Sequence, residues 1–345
     1  MSNGRDPRFE SLRICAIVFV VTHHVLLFGI DGCGYLSLFV ADTKGVTCVV
    51  ANSVVVTGVN LFVMISGWFG IRRIWRPFVR LVVECGVFGV VALVLSLCLY
   101  DHWPIAHVDG NFSLERLCQS VKFTNWWFIT HYLMLVLVAP LLEFGLKNIR
   151  QREFGIVLLT FAVLTFVFGF GWGFVNASGY NVFNFIMLYL LARYMRLFPQ
   201  DGLCRPFYRW PWAIIVLCVG GMVLWFLLDT HSWVPGHNCK AWNYNSPLVI
   251  AESMALFALF VKLRPMKLRP IKWNVVVVAP YVLGVYLLQS SPNLVYFRNA
   301  LGSWLWRECG FAGVALTVAV LVLVCLLLSA CIFMPLRMMF RKVRL

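Results

Sequence analysis

The sequence predicts an all-α, polytopic membrane protein of about ten transmembrane helices with both termini in the cytoplasm. Of its 345 residues, 61% are hydrophobic and only 12% are charged, whereas a soluble domain carries about 25% charged residues. Mean hydropathy is +0.84, more apolar than a surface in water sustains. Apolar stretches long enough to cross a bilayer recur along the chain, and Lys and Arg gather at every second connection between them.

The first span, 12–30, is too long for a signal-peptide core and ends without a small-residue cleavage site. Its exit, Ile30-Asp31-Gly32-Cys33, has Asp where a lipoprotein signal needs a small residue. Arg5, Arg8 and Arg13 hold its start inside. Span 48–70 returns to Arg72, Arg73, Arg76 and Arg80. Span 79–100 leads out to a connection, 101–124, in which Leu114, Leu117 and Val121 at helical spacing indicate a short interfacial helix. Span 125–144 comes back to Lys147, Arg150 and Arg152. Spans 154–174 and 182–198 form the next pair, closing on Arg193, Arg196, Arg205 and Arg209. Spans 211–228 and 247–263 close on Lys262, Arg264, Lys267, Arg269 and Lys272, and spans 274–290 and 311–334 close on Arg337, Arg341, Lys342 and Arg344. These clusters hold 23 of the 29 Lys and Arg; Lys44, Arg116, Lys122, Lys240, Arg298 and Arg307 fall outside.

This distribution also accounts for the net charge of +15. A nucleic-acid binder concentrates its basic residues on one soluble face, so the charge is read as an orientation signal and nucleic acid is excluded as a partner. The bilayer is the expected partner, in a multi-pass cell-membrane protein. Among 12 Cys there is no paired C-x-x-C, and no metal is expected. Cys85, Cys98, Cys218, Cys325 and Cys331 sit in spans as small hydrophobes, while Cys33, Cys48, Cys118, Cys239 and Cys309 fall on or near the outer side, where a disulfide is chemically allowed. The outer connections 31–47, 101–124, 229–246 and 291–310 are each too short for a core of their own. Residues 1–345 therefore read as one integral membrane domain, with the chemistry in the bundle and its mouths.

Inside the bundle the ionisable groups are His23, His24, Glu84, His131, Glu143, Arg193 and Glu252, with Asn60, Ser66, Trp127 and Gln289 as uncharged candidates. His131 is expected to be a packing residue, and Arg193 and Glu143 to snorkel at the cytoplasmic ends. Arg13 and His24 are different. Eleven helical steps bring His24 back to within roughly 20° of Arg13, about 16 Å further along the axis, so one face carries a cation at the water boundary and an imidazole deep in the bilayer. An ionisable group at that depth is usually functional. Arg73 and Arg76, three residues apart, share a helical turn, and their guanidinium forks suit phosphate oxygens.

Together these residues resemble the acyltransferase-3 family of membrane acyltransferases. The resemblance rests on Arg13-x10-His24, the Asn60-to-Trp68 segment NLFVMISGW, and Arg73-x-x-Arg76. It also rests on the Trp126-to-Leu133 segment WWFITHYL with Pro140-Leu141-Leu142, and on the Gly284-to-Gln289 segment GVYLLQ. It covers nearly the whole chain in the expected order. It implies transfer of an acyl group, most often acetyl, from cytoplasmic acyl-CoA to a hydroxyl of a cell-surface or lipid-linked polysaccharide, here in a bacterial cytoplasmic membrane. It assigns catalysis to His24 and Arg13 and donor binding to Arg73 and Arg76, with Arg72 beside them. Relatives often have His where this chain has Gln289.

A ring of arginines at the mouth would hold the CoA phosphates while the pantetheine arm reaches His24. His24, as a neutral imidazole, then either takes the hydroxyl proton as general base or takes the acyl group itself. Asn60, Ser66 and Trp127 are candidate donors to the developing oxyanion, and the outer-loop residues Trp233, His237, Trp242, Asn243 and Tyr244 are candidates for the carbohydrate acceptor site. Two other classes compete with this reading. A proton-coupled exporter of a sugar or lipid would show paired half-repeats with broken spans in matching positions, and neither is evident. A non-catalytic partner in polysaccharide assembly would keep the fold without the chemistry.

Overall fold

The structure, a computed structural model, describes residues 5–30, 43–174, 177–229, 239–263 and 275–342, which form helices and their connections with no strand among them. Helix α1 (Pro7–Phe28) starts five residues before the expected span. The reason is local. Asp6 is the N-cap, its carboxylate accepting the Arg8 N–H at 3.0 Å, and Pro7 at the first position gives up only an N–H that would be unpaired anyway. The second span is one apolar run, Gly45–Phe69, broken by a turn at 56–57 into α2 (Thr43–Val55) and α3 (Gly58–Phe69). Helix α4 (Trp75–His102) leads to α5 (Leu114–Ser120), the expected short helix, capped by Ser113 accepting from Arg116 N–H at 3.1 Å.

Helix α6 (Trp127–Gly145) is followed by α7 (Gln151–Val163), which runs on as a wider helical turn to Gly171. Next come α8 (Val182–Leu197), the short α9 (Arg205–Arg209), α10 (Pro211–Leu228) and α11 (Pro247–Lys262). Helix α12 (Val275–Gln289) contains a 3-10 turn, Ala279–Tyr281, where Pro280 cannot supply an N–H to the α-helical ladder. Helices α13 (Val295–Cys309) and α14 (Phe311–Lys342) complete the chain. Among the described residues eight helices are long and apolar enough to cross a membrane; the 16-residue α8 and the shorter α12 fill the other two expected positions. All the spans read from hydropathy are helices.

One segment departs from the expectation. The outer connection 291–310 contains α13, a 15-residue helix. Arg298, Asn299, Arg307 and Glu308 make it too polar to register as a span, yet it packs against α14 and the end of α1. The fit to α1 is tight: a Cβ on Gly302 would come within 3.0 Å of both Cα and O of Gly29. Ser303 Oγ donates to the Gly29 carbonyl at 3.0 Å, satisfying an acceptor left open at the α1 terminus.

Helix α1 lies at the centre, packed by α3, α11, α12 and α14. Helix α3 runs antiparallel to it. A Cβ on Gly58 would meet Ala16 O at 2.8 Å, whereas Phe69 at the far end shares a cavity mouth with Arg13. Helices α3 and α8 cross closely at Gly67, whose Cβ would sit 2.4 Å from Tyr189 O. This geometry fixes the levels of the bundle: Arg13, Phe69 and the α3–α4 connection at one end, and the ends of α1 and α12 with α13 at the other.

Candidate active site

A cavity of about 560 Å³ opens beside Arg5, Asp6, Glu10 and Arg13 and runs between α1, α3, α6 and α12. Its α1 wall is Glu10, Arg13 and Val20, a single stripe by helical spacing. Phe62, Phe128, Tyr132 and Tyr286 line its interior. His24 continues that stripe one turn, about 6 Å, beyond Val20; likewise Gln289 stands roughly one turn beyond Tyr286 on α12. His24 is half-buried, while its neighbour His23 is 5% exposed and bonds Asn52 Oδ1 at 2.7 Å.

His24 and Gln289 are brought together from opposite parts of the chain, with Nδ1 3.1 Å from Oε1. Arg13 is not a free cation. It forms an ion pair with Glu10, a residue of the first turn that is buried to 3%, and Arg5 lies 3.9 Å from the other Glu10 oxygen. Glu10 went unnoticed in the sequence because an acidic residue beside a positive-inside cluster carries no topological weight.

Arg72, Arg73 and Arg76 are exposed in and after the α3–α4 connection, at the same end as Arg13. None forms an ion pair among the described residues, and none lines the cavity itself. They share the mouth's end of the bundle without lining the cavity.

The uncharged candidates separate. Ser66 lines the cavity, bonded to the Phe62 carbonyl at 3.3 Å and to Tyr132 OH at 3.0 Å. It is eight residues, about 12 Å, nearer the mouth than Gly58, so it belongs to the level of Arg13 and not to that of His24. Asn60 is fully buried and donates to Tyr244 O at 3.1 Å. Trp127 stacks on Tyr244 with centroids 5.5 Å apart, and Tyr244 in turn lies 6.3 Å from His23. Asn60 and Trp127 therefore gather about Tyr244 on the His23 side.

The loop expected to meet an acceptor is folded inward where it is described. Trp242, Asn243 and Tyr244 are at most 9% exposed, with Trp242 donating to Ser53 Oγ at 3.0 Å and stacked on Phe226. Aromatic rings near a span end find more apolar contact in the bundle than in water. Trp233 and His237 lie outside the described residues, as do Cys33 and the basic residues from Arg264 to Lys272.

Glu143 and Arg193 pair at 2.9 Å, each nearly buried, instead of snorkelling. Tyr189 OH donates to Glu143 at 2.7 Å and accepts from Ile71 N–H at 2.9 Å, and Arg193 and Arg196 reach the Trp68 carbonyl. This network closes the C-terminal end of α3, where carbonyls lack helical partners. Glu84 pairs with Arg80 at 2.8 Å. His131 is half-buried against Trp127 and Phe185. Glu252 is fully buried, its carboxyl oxygens without hydrogen-bond partners among the described residues.

The sequence reading missed one residue beside His24. Arg298 on α13 is 5% exposed and donates through Nη1 to both the backbone O and the Oε1 of Gln289 at 3.1 Å. Nε and Nη2 donate to Asn299 Oδ1 at 3.0 and 2.8 Å, and the guanidinium lies 5.8 Å from the Phe28 ring centroid, a cation–π distance. Its only sequence signal was negative: a cation on the side where Lys and Arg are scarce.

Comparison with curated proteins and with solved structures gives no match. A family model described as an acyltransferase domain matches residues 6–334, nearly the whole chain and every element of the site. The chain belongs to the acyltransferase-3 family and is a multi-pass membrane acyltransferase.

Proposed function

We propose that the protein moves an acyl group, in the first instance acetyl, from cytoplasmic acyl-CoA to a hydroxyl of a cell-surface or lipid-linked polysaccharide in the bacterial cytoplasmic membrane. The observation that supports this best is the cavity that starts among Arg5, Arg13 and Glu10 and is lined along α1 as far as Val20, one helical turn short of His24. The run from Arg13 to His24 is about 16 Å, comparable with a pantetheine arm. Arg73 and Arg76 at the mouth's end of the bundle, with Arg72, suit the CoA phosphates as bidentate donors. Arg13 stands at the mouth with them, keeping its ion pair with the buried Glu10 carboxylate while its other N–H donors are available to phosphate.

In the reaction His24 takes the proton of the acceptor hydroxyl as that oxygen attacks the thioester carbonyl. The C–S bond breaks, the thiolate takes the proton back from His24, and the products are the O-acyl ester and CoA thiol. By the distribution of Lys and Arg the donor mouth faces the cytoplasm and the acceptor approaches from the end where α1, α12 and α13 meet.

Sealed vesicles of defined sidedness provide the test. With the basic end inside, labelled acetyl-CoA trapped in the lumen is expected to label glycan supplied outside, and mass spectrometry is expected to find the glycan heavier by one acetyl group. Labelling that requires acetyl-CoA on the outside would overturn the orientation, and no labelling from either side would overturn the donor.

A further inference from the structure

The polar contacts around His24 have a built-in direction. A guanidinium has five donors and no acceptor, so the atom of the Gln289 side chain that meets Arg298 must be the amide oxygen. Exchanging amide O and N would set donors against donors at 3.1 Å in a site where Arg298 is 5% exposed. The amide nitrogen instead donates to Ser290 Oγ. The oxygen held in this way is also the atom 3.1 Å from His24 Nδ1. An amide oxygen only accepts, so Nδ1 carries the proton and the lone pair of the neutral ring is on Nε2.

We propose that Arg298 is a positioning residue: by fixing the amide orientation of Gln289 it holds His24 in the Nδ1–H tautomer, with Nε2 as the proton acceptor. The proposal rests on the reading of His24 as general base. It gives α13 a function, since the close contact of Gly302 with Gly29 is what seats Arg298 beside the end of α1. It also gives a role to the amide at position 289. A neutral side chain that could face either way is made a one-way acceptor by a donor-only neighbour, which supplies the orienting partner that a base in a catalytic constellation requires.

Two variants separate this role from simple support. In Arg298→Met the Gln289 amide is free to turn its NH₂ toward His24, which moves the proton to Nε2. The expected result is a fall in kcat of about tenfold or more with KM for acetyl-CoA nearly unchanged. Arg298→Lys keeps a donor-only group and is expected to retain most of the activity. Gln289→Glu accepts through both oxygens whichever way it faces, so Arg298→Met/Gln289→Glu is expected to be more active than Arg298→Met alone.

The direct readout is the ¹⁵N resonance pattern of His24 in purified, substrate-free protein, assigned by its loss in His24→Ala. The parent, Arg298→Lys and Gln289→Glu are expected to show protonated Nδ1 and unprotonated Nε2, whereas Arg298→Met and Gln289→Met, which leaves Nδ1 without an acceptor, shift population to Nε2–H. Gln289→Glu and Gln289→Met keep Arg298 in place, so the test stands even if Arg298→Met does not fold. A Nδ1–H pattern that persists in Arg298→Met or in Gln289→Met, or a parent protonated on Nε2, would overturn the proposal. The spectrum is read without acyl-CoA, so a failure of the proposed activity leaves it intact and distinguishable.

Discussion

Replacing His24 and His23 in turn separates chemistry from packing on one helix. His24 is half-buried and its contact through Nδ1 is the Gln289 amide oxygen. That oxygen keeps the Arg298 donor when the imidazole is gone, so His24→Ala leaves no stranded buried group and is expected to cost less than about 1 kcal/mol in stability. A general base typically contributes about 10²–10⁴ in rate, or roughly 3–5 kcal/mol of barrier, so kcat is expected to fall by that factor. His23 is 5% exposed and holds Asn52 Oδ1 at 2.7 Å. Its removal strands that oxygen at a cost of about 1–3 kcal/mol, with a void added. His23→Ala is therefore expected to melt measurably earlier while each folded molecule keeps most of its turnover. The assay is acyl transfer from labelled acetyl-CoA by detergent-purified, monodisperse protein, normalised to folded protein, beside a thermal melt followed by tryptophan fluorescence. Equal losses of kcat at the two positions, or turnover retained in His24→Ala, would refute the reasoning.

Three further substitutions test the mouth and the bundle. Arg73→Ala and Arg76→Ala are expected to raise KM for acetyl-CoA more than they lower kcat, with dephospho-CoA a poor donor for the parent and Arg→Lys restoring only part of the affinity; unchanged donor affinity in steady-state kinetics would leave the pair as topological charge. Glu10→Gln releases Arg13 and Arg5 from a buried carboxylate, so KM for acetyl-CoA is expected to drop about two- to fivefold, and a rise instead would show that Arg13 does not meet the donor. Gly67→Ala places a methyl 2.4 Å from Tyr189 O, and separating α3 from α8 is expected to cost on the order of 1–3 kcal/mol; a parent-like melting temperature would contradict the close crossing.

The spans were legible in the sequence because their determinant is local. A segment in hydrocarbon must satisfy its own backbone groups and present apolar side chains throughout, and hydropathy reads that condition without knowledge of neighbours. The stripe shared by Arg13 and His24 was legible for a similar reason, since helical periodicity alone places them. The early start of α1 was also written locally, in Asp6-Pro7, although hydropathy does not register a cap. Family membership followed from the order of short motifs along the chain. What stands opposite each stripe depended on packing. His24 meets Gln289 across 265 residues, and Arg298 reaches them from a helix whose polarity made it resemble a loop. Glu143 finds Arg193, and Trp242 and Tyr244 turn into the bundle, because a charge or ring near a bilayer gains more from a partner in the protein than from its own stretch of chain. A single sequence records which helices form and which faces are apolar; the choice of neighbour belongs to the whole set of interhelical contacts, and it is there that the partners of His24 were decided.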